Sequence, residues 1–136
     1  MITGLEVRYH LAREPAKIRC RAFNEVISAD TECYVNFAEL RDFAERLRSV
    51  GSGDVQSASF GRPDPAHSFV SLEFAVLDNR GHFLATIELA SGDYEPHRST
   101  ATVRFESDRA AVDRFASELL LAISQREGQA VLVGVQ

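Results

Sequence analysis

Apolar and polar residues alternate most regularly between Ser68 and Ala90 (SFVSLEFAVLDNRGHFLATIELA), and this stretch anchors the expected fold. Val70, Leu72, Phe74 and Val76 fall on one face of a strand, and Phe69, Ser71, Glu73, Ala75 and Leu77 on the other, because successive strand side chains point to opposite sides. Beyond Asp78-Asn79-Arg80-Gly81, a second apolar set (Phe83, Ala85, Ile87, Leu89) alternates with His82, Leu84, Thr86, Glu88 and Ala90. A hairpin over residues 69–90 with Asp78 opposite Gly81 makes the two apolar sets partners: Val76 with Phe83, Phe74 with Ala85, Leu72 with Ile87, Val70 with Leu89. The same turn residues suit a type I turn with glycine in a left-handed bulge, which slips the register by one and mixes the faces. Burying a large apolar side chain is worth roughly 1.5–3 kcal/mol, against about 1 kcal/mol for a glycine preference in the turn. The unslipped register is therefore expected.

The same patterns place the remaining elements. Gly4 to Ala12 alternates Leu5, Val7, Tyr9 and Leu11 with Glu6, Arg8 and His10, a half-buried strand closed by Arg13-Glu14-Pro15. Ala16 onward puts Ile18, Cys20 and Ala22 inward and Lys17, Arg19 and Arg21 outward, until the parity changes near Phe23-Asn24-Glu25, where a bulge or early turn is expected. Ser28-Ala29-Asp30 reads as turn and Glu32 to Val35 as a short returning strand. A first amphipathic helix over about 37–50 follows Asn36 as cap, with Glu39 as the cap's reciprocal partner, a stripe of Phe37, Leu40, Phe43, Ala44, Leu47 and Val50, and Gly51-Ser52-Gly53-Asp54 as its stop. Val55 to Phe60 is a short strand and Thr100 to Phe105 another. A second helix over about 108–126 carries Val112, Phe115, Ala116, Leu119, Ala122 and Ile123, with Gly128 as the stop. The apolar tail 130–135 (AVLVGV) is β-prone and must dock either on the sheet or on another subunit. The order β-β-β-α-β-β-β-β-α-β predicts an α+β fold: an antiparallel sheet built around the central hairpin, with two amphipathic helices packed on one face.

Composition narrows the classes. At 136 residues, 45% hydrophobic and 26% charged, the chain has the size and make-up of a single globular domain over 1–136. No apolar run approaches the length of a membrane helix and the N-terminus lacks a signal-like segment, which predicts a cytoplasmic protein with no membrane partner. Cys20 and Cys33 are expected as reduced core thiols. A net charge of −5 argues against a nucleic-acid partner, and the Lys17, Arg19, Arg21 stripe reads as a solvated strand face.

The search for chemistry turns up no catalytic, metal or cofactor motif. His10, His67, His82 and His97 lack metal-ligand spacing, and there is no nucleophile elbow, Cys-x-x-Cys or Gly-rich phosphate loop. One grouping could be imagined as an enzyme site: Glu73 and Glu88, diagonal on the mixed face of the hairpin, with His82 further along it. A solvated charged face is the plainer reading, and no enzymatic activity and no cofactor are expected.

A helix of the form Phe-x-x-Leu-x-x-Phe-x-x-x-Leu (FAELRDFAERLRSV), a hairpin turn Asp-x-x-Gly-His at Asp78, Gly81 and His82, and a closing strand and helix (VRFESDRAAVDRFASELL) together resemble the small bacterial WapI-type immunity proteins of contact-dependent toxin systems, over roughly residues 30–123. These are scaffold motifs, and the resemblance carries over no catalytic or binding residue. It implies a protein that neutralises a toxin by occluding it, to which the acidic charge adds capture of a basic partner. The expected contact residues are Glu73, His82, Thr86 and Glu88 on the mixed face and Asp93, Tyr94 and Glu95 in the loop that follows. The alternative is a homo-oligomeric structural or small-ligand module, a homodimer formed through the 130–135 tail.

Overall fold

The computed structural model describes residues 3–49, 55–61, 68–91 and 98–135. Eight strands and two helices follow in the expected order: β1 Gly4–His10, β2 Ala16–Phe23, β3 Ser28–Val35, α1 Phe37–Leu47, β4 Val55–Gly61, β5 Phe69–Val76, β6 His82–Ala90, β7 Thr100–Asp108, α2 Arg109–Gln125 and β8 Glu127–Val133. The fold is α+β, and every strand pairing within it is antiparallel. Where the sequence suggests one sheet carrying both helices, the strands divide into two four-stranded sheets, β3-β2-β1-β8 and β4-β5-β6-β7. Alternation within a strand marks which side is buried and says nothing of which sheet the strand joins.

The central hairpin has the register that its apolar faces demand. Val76 pairs with Phe83, Phe74 with Ala85, Leu72 with Ile87 and Val70 with Leu89, and Val70, Leu72, Phe74, Phe83, Ala85 and Ile87 are fully buried. Leu77 N–H donates to His82 O at 2.8 Å, which leaves Asp78 to Gly81 as a four-residue loop. Gly81 takes a left-handed φ of 85°, so the glycine supplies the turn without slipping the strands.

Both sheets turn one face to a common core. Leu5, Val7 and Tyr9 of β1, Ile18, Cys20 and Ala22 of β2, and Ala130 and Leu132 of β8 join the apolar sides of β5, β6 and β7 and the buried stripes of both helices in one cluster. Phe74 of β5 is the hub: its ring lies 5.9 Å from that of Phe43 on α1 in a stacked arrangement and 6.0 Å from that of Phe115 on α2, edge-on. Cys20 and Cys33 are free thiols within this core.

Local differences from the expected elements have local causes. Ser28-Ala29-Asp30 belongs to β3 and not to a turn. The reversal is the early turn expected near Phe23-Asn24-Glu25, where Asn24 Oδ1 accepts from Val26 N at 2.8 Å and Ile27 N at 2.9 Å, leaving Val26 and Ile27 outside the core. Helix α1 is capped by Asn36, whose side chain accepts from Ala38 N at 2.8 Å. Residues 50–54, expected to hold the last apolar position and the stop of this helix, lie outside the described residues. Helix α2 begins after Asp108, whose carboxylate accepts from Ala111 N, and ends not at a glycine but at Arg126, which itself takes the left-handed conformation with φ 67°. Gly128 has another duty. It is the point where β8 passes against α2, and a Cβ there would lie 2.8 Å from Cβ of Ala122.

Candidate functional site

The outer face of the β4-β5-β6-β7 sheet carries four of the residues expected to contact a partner. The register sets them in rows running across the sheet: Ser57, Glu73, Thr86 and Arg104 in one, and Ser59, Ser71, Glu88 and Thr102 in the next. Glu73 and Glu88 are therefore diagonal neighbours, as their alternation implies, and both are exposed. Short hydroxyl side chains share their two rows, with Ser59 Oγ donating to Ser71 Oγ at 3.4 Å, while the next row runs Val55, Ala75, Leu84 and Glu106. The face is acidic: Glu73, Glu88, Glu106 and Asp108 stand against the single arginine Arg104 on β5, β6 and β7.

His82 shares the face but not the grouping imagined for it. Its row partner across β7 is Asp108, and its imidazole turns back to the hairpin loop, where Nδ1 donates to Asp78 Oδ2 at 2.6 Å. The other carboxylate oxygen of Asp78 accepts from Arg80 N at 2.8 Å and His82 N at 3.3 Å. The hydrogen bond from His82 holds the Asp78 carboxyl below its usual range, and the same bond raises the imidazole above its own. Asp78 and His82 stand four residues apart across a loop, a spacing visible in the chain. Its meaning depends on a loop geometry that alternation does not report. Around the loop, Gly81 O accepts from Arg109 N at 2.8 Å, and the Arg109 guanidinium lies 4.9 Å from the Phe83 ring centre, so the turn is pinned to the start of α2.

Asp93, Tyr94 and Glu95 lie outside the described residues. Among the described residues, no group of three His, Cys, Asp or Glu side chains is placed to hold a metal ion, and no helix is long and apolar enough to cross a membrane.

The tail settles on its own chain. β8 pairs along its length with β1, from Gly4 with Val133 to His10 with Glu127, burying Ala130 and Leu132. Groups on its far side are taken up as well: Val131 N donates to Glu118 Oε1 at 2.9 Å, Ser107 Oγ donates to Val133 O at 2.8 Å, and Val135 N donates to Glu106 O at 2.7 Å. Ser107, fully buried, is satisfied by that bond. Of the two docking partners open to the tail, the structure shows the sheet.

The model of the Immunity protein WapI-like family matches residues 15–125, from the start of β2 through α2. The chain belongs to this family. No curated protein sequence and no solved structure matches it significantly. The WapI-like match takes in α1, the Asp78-to-His82 loop and the β7-α2 pair, and therefore the whole outer face described above; β1 and β8, which pair with each other, fall outside it.

Proposed function

We propose that this WapI-like immunity protein acts as a single domain that binds a cognate protein toxin and neutralises it by occlusion, without catalysis. Family membership over residues 15–125 carries the reading. The outer face of the β4-β5-β6-β7 sheet supports it as the contact surface: it is acidic and carries hydroxyls, with Glu73, Thr86 and Glu88 at its centre and His82 at one end. Such a face suits a basic partner, for which opposed potentials speed encounter and reject wrong pairings. The loop residues Asp93, Tyr94 and Glu95 extend the proposed contact by sequence position, directly after β6.

The experiment is co-expression with the toxin encoded beside the gene in the source bacterium. Growth should be rescued, and the two proteins should co-purify. Reversal of both Glu73 and Glu88 to Lys should abolish co-purification and rescue while leaving the circular dichroism spectrum intact. Rescue that persists without a complex would defeat occlusion, and rescue that survives the double reversal would move the contact off this face.

A further inference from the structure

We propose that the outer face of the other sheet, β3-β2-β1-β8, is a second interaction surface that binds an acidic segment of a protein partner, with Arg8 and Arg21 as its anchors. The inference does not rest on the toxin-binding reading, and it concerns the opposite sheet.

The register lays this face out as a grid. One row runs Gln129, Arg8, Arg19, Glu32 and the next Val131, Glu6, Arg21, Asp30. Arg8 and Arg19 are thus directly opposed, at a cross-strand separation of about 5 Å between Cβ atoms, where like charges repel. Arg19 has somewhere to go: it leans to the β3 edge, with Nη2 3.1 Å from Asp30 Oδ1 and Nη1 3.8 Å from Glu32 Oε2. Lys17 joins the same edge, 3.5 Å from Glu32. That leaves Arg21 without its cross-strand neighbour Asp30, and its guanidinium lies instead 5.1 Å from the Phe23 ring centre. Arg8 faces Gln129 on its other side. Among the described residues, neither Arg8 nor Arg21 forms an ion pair.

Arg8 and Arg21 share a depression of about 180 Å³ lined by Glu6, Arg8, Arg19, Arg21 and Asp30, and although Glu6 stands across from Arg21, it is not within ion-pair distance of either. Guanidinium binds carboxylate through paired hydrogen bonds, stronger than those between neutral groups. A carboxylate entering here would relieve the Arg8–Arg19 repulsion as well as pair with Arg8 and Arg21. The neighbouring acids decide the class of partner. Glu6 lies beside Arg8 on β1, Asp30 and Glu32 bound the cations on β3, and Glu127 stands at the β8 corner. A nucleic-acid backbone, with a charge at every step, would be driven against these carboxylates. A peptide whose acidic residues alternate with neutral or basic ones matches the grid.

The test uses the full chain and a fluorescein-labelled peptide of alternating Glu and Ser residues, with backbone and guanidinium NMR shifts read on the same mixture. Binding should weaken as salt rises and should move the Nε–H signals of Arg8 and Arg21. Arg8→Gln should weaken binding roughly tenfold, whereas Arg114→Gln, a charge loss on the exposed side of α2, should leave it unchanged. Arg8→Gln should also leave the melting temperature equal or higher, because it removes a like-charge contact. A variant that melts lower would make Arg8 a structural residue and overturn the inference. So would shifts confined to other residues, absence of binding at low salt, or preference of these arginines for a single-stranded RNA of equal charge over the peptide.

Discussion

The imidazole of His82 and the carboxylate of Asp78 close the central hairpin with a 2.6 Å hydrogen bond, while the second oxygen of Asp78 holds the loop backbone at Arg80 and His82. One residue thus fixes both the loop and the ionisation of its neighbour. The raised imidazole stabilises the fold below the ordinary histidine range, near pH 6.5, and that contribution disappears as pH rises through its folded value. The lowered carboxyl stabilises the fold above the ordinary aspartate range, near pH 3.9, and its contribution disappears as pH falls through its folded value. The two overlap between about pH 4 and 6.5.

It follows that His82 should titrate above an unstructured histidine in a proton NMR series, and that Asp78→Asn should return it toward the ordinary value. Asn keeps an oxygen for the loop amides, so the hairpin should survive the change. A His82 that titrates normally in the native chain would show that the pairing is not formed in solution.

Phe74 lies between the two helices, stacked on Phe43 and edge-on to Phe115. Phe74→Ala should lose about 3–5 kcal/mol of stability, at the upper end for a core truncation, because the cavity borders both helices and neither can close it alone. Urea unfolding followed by circular dichroism measures it. A loss below about 1 kcal/mol would mean that the core repacks freely around the missing ring.

The cysteines predict a difference in reactivity. Burial pushes Cys20 far above the usual thiol range, with the neighbouring Cys33 adding to the shift, and pushes Cys33 up to about 11. Thiolate is the reactive form. Native protein should therefore label slowly, Cys33 before Cys20, with the Cys33 rate still rising above about pH 10, where an exposed thiol has levelled off. Both should react at once in denaturant. Rapid labelling of Cys20 in native conditions would contradict its burial in the core.

Much of this architecture was legible because one parity carries the large apolar residues on each strand, so the hairpin register of Val76 with Phe83 through Val70 with Leu89 could be read directly. The diagonal placement of Glu73 and Glu88 came with it. Partition into two sheets could not be read, since it depends on contacts such as Phe74 with both helices that join distant parts of the chain. The β2-β3 turn at Asn24 showed as a change of parity, but a second turn expected at Ser28-Ala29-Asp30 was wrong, because those residues continue β3. The end of α2 near residue 126 was legible, but its stop was assigned to the wrong residue: glycine is the usual left-handed cap, whereas Arg126 takes that conformation and Gly128 is required two residues later by the Cβ of Ala122. Arg8 facing Arg19 needs the β1-β2 register, and neither residue alone signals anything.

The β8 edge offers the sharpest test of how this chain avoids pairing with itself. An open strand edge recruits other strands, and β8 ends its sheet. Glu118 reaches from α2 to accept the outward Val131 N–H at 2.9 Å, occupying a group that a second strand would need. Glu118→Leu removes that acceptor and leaves Val131 N–H unsatisfied, at a cost of about 1–3 kcal/mol. Light scattering coupled to size exclusion should find the native chain monomeric and the variant shifted toward larger species as concentration rises, while Glu118→Gln, which keeps a carbonyl oxygen, should behave as the native chain. A native dimer broken by substitutions at Ala130 or Leu132 would instead return the tail to the role of an intersubunit strand.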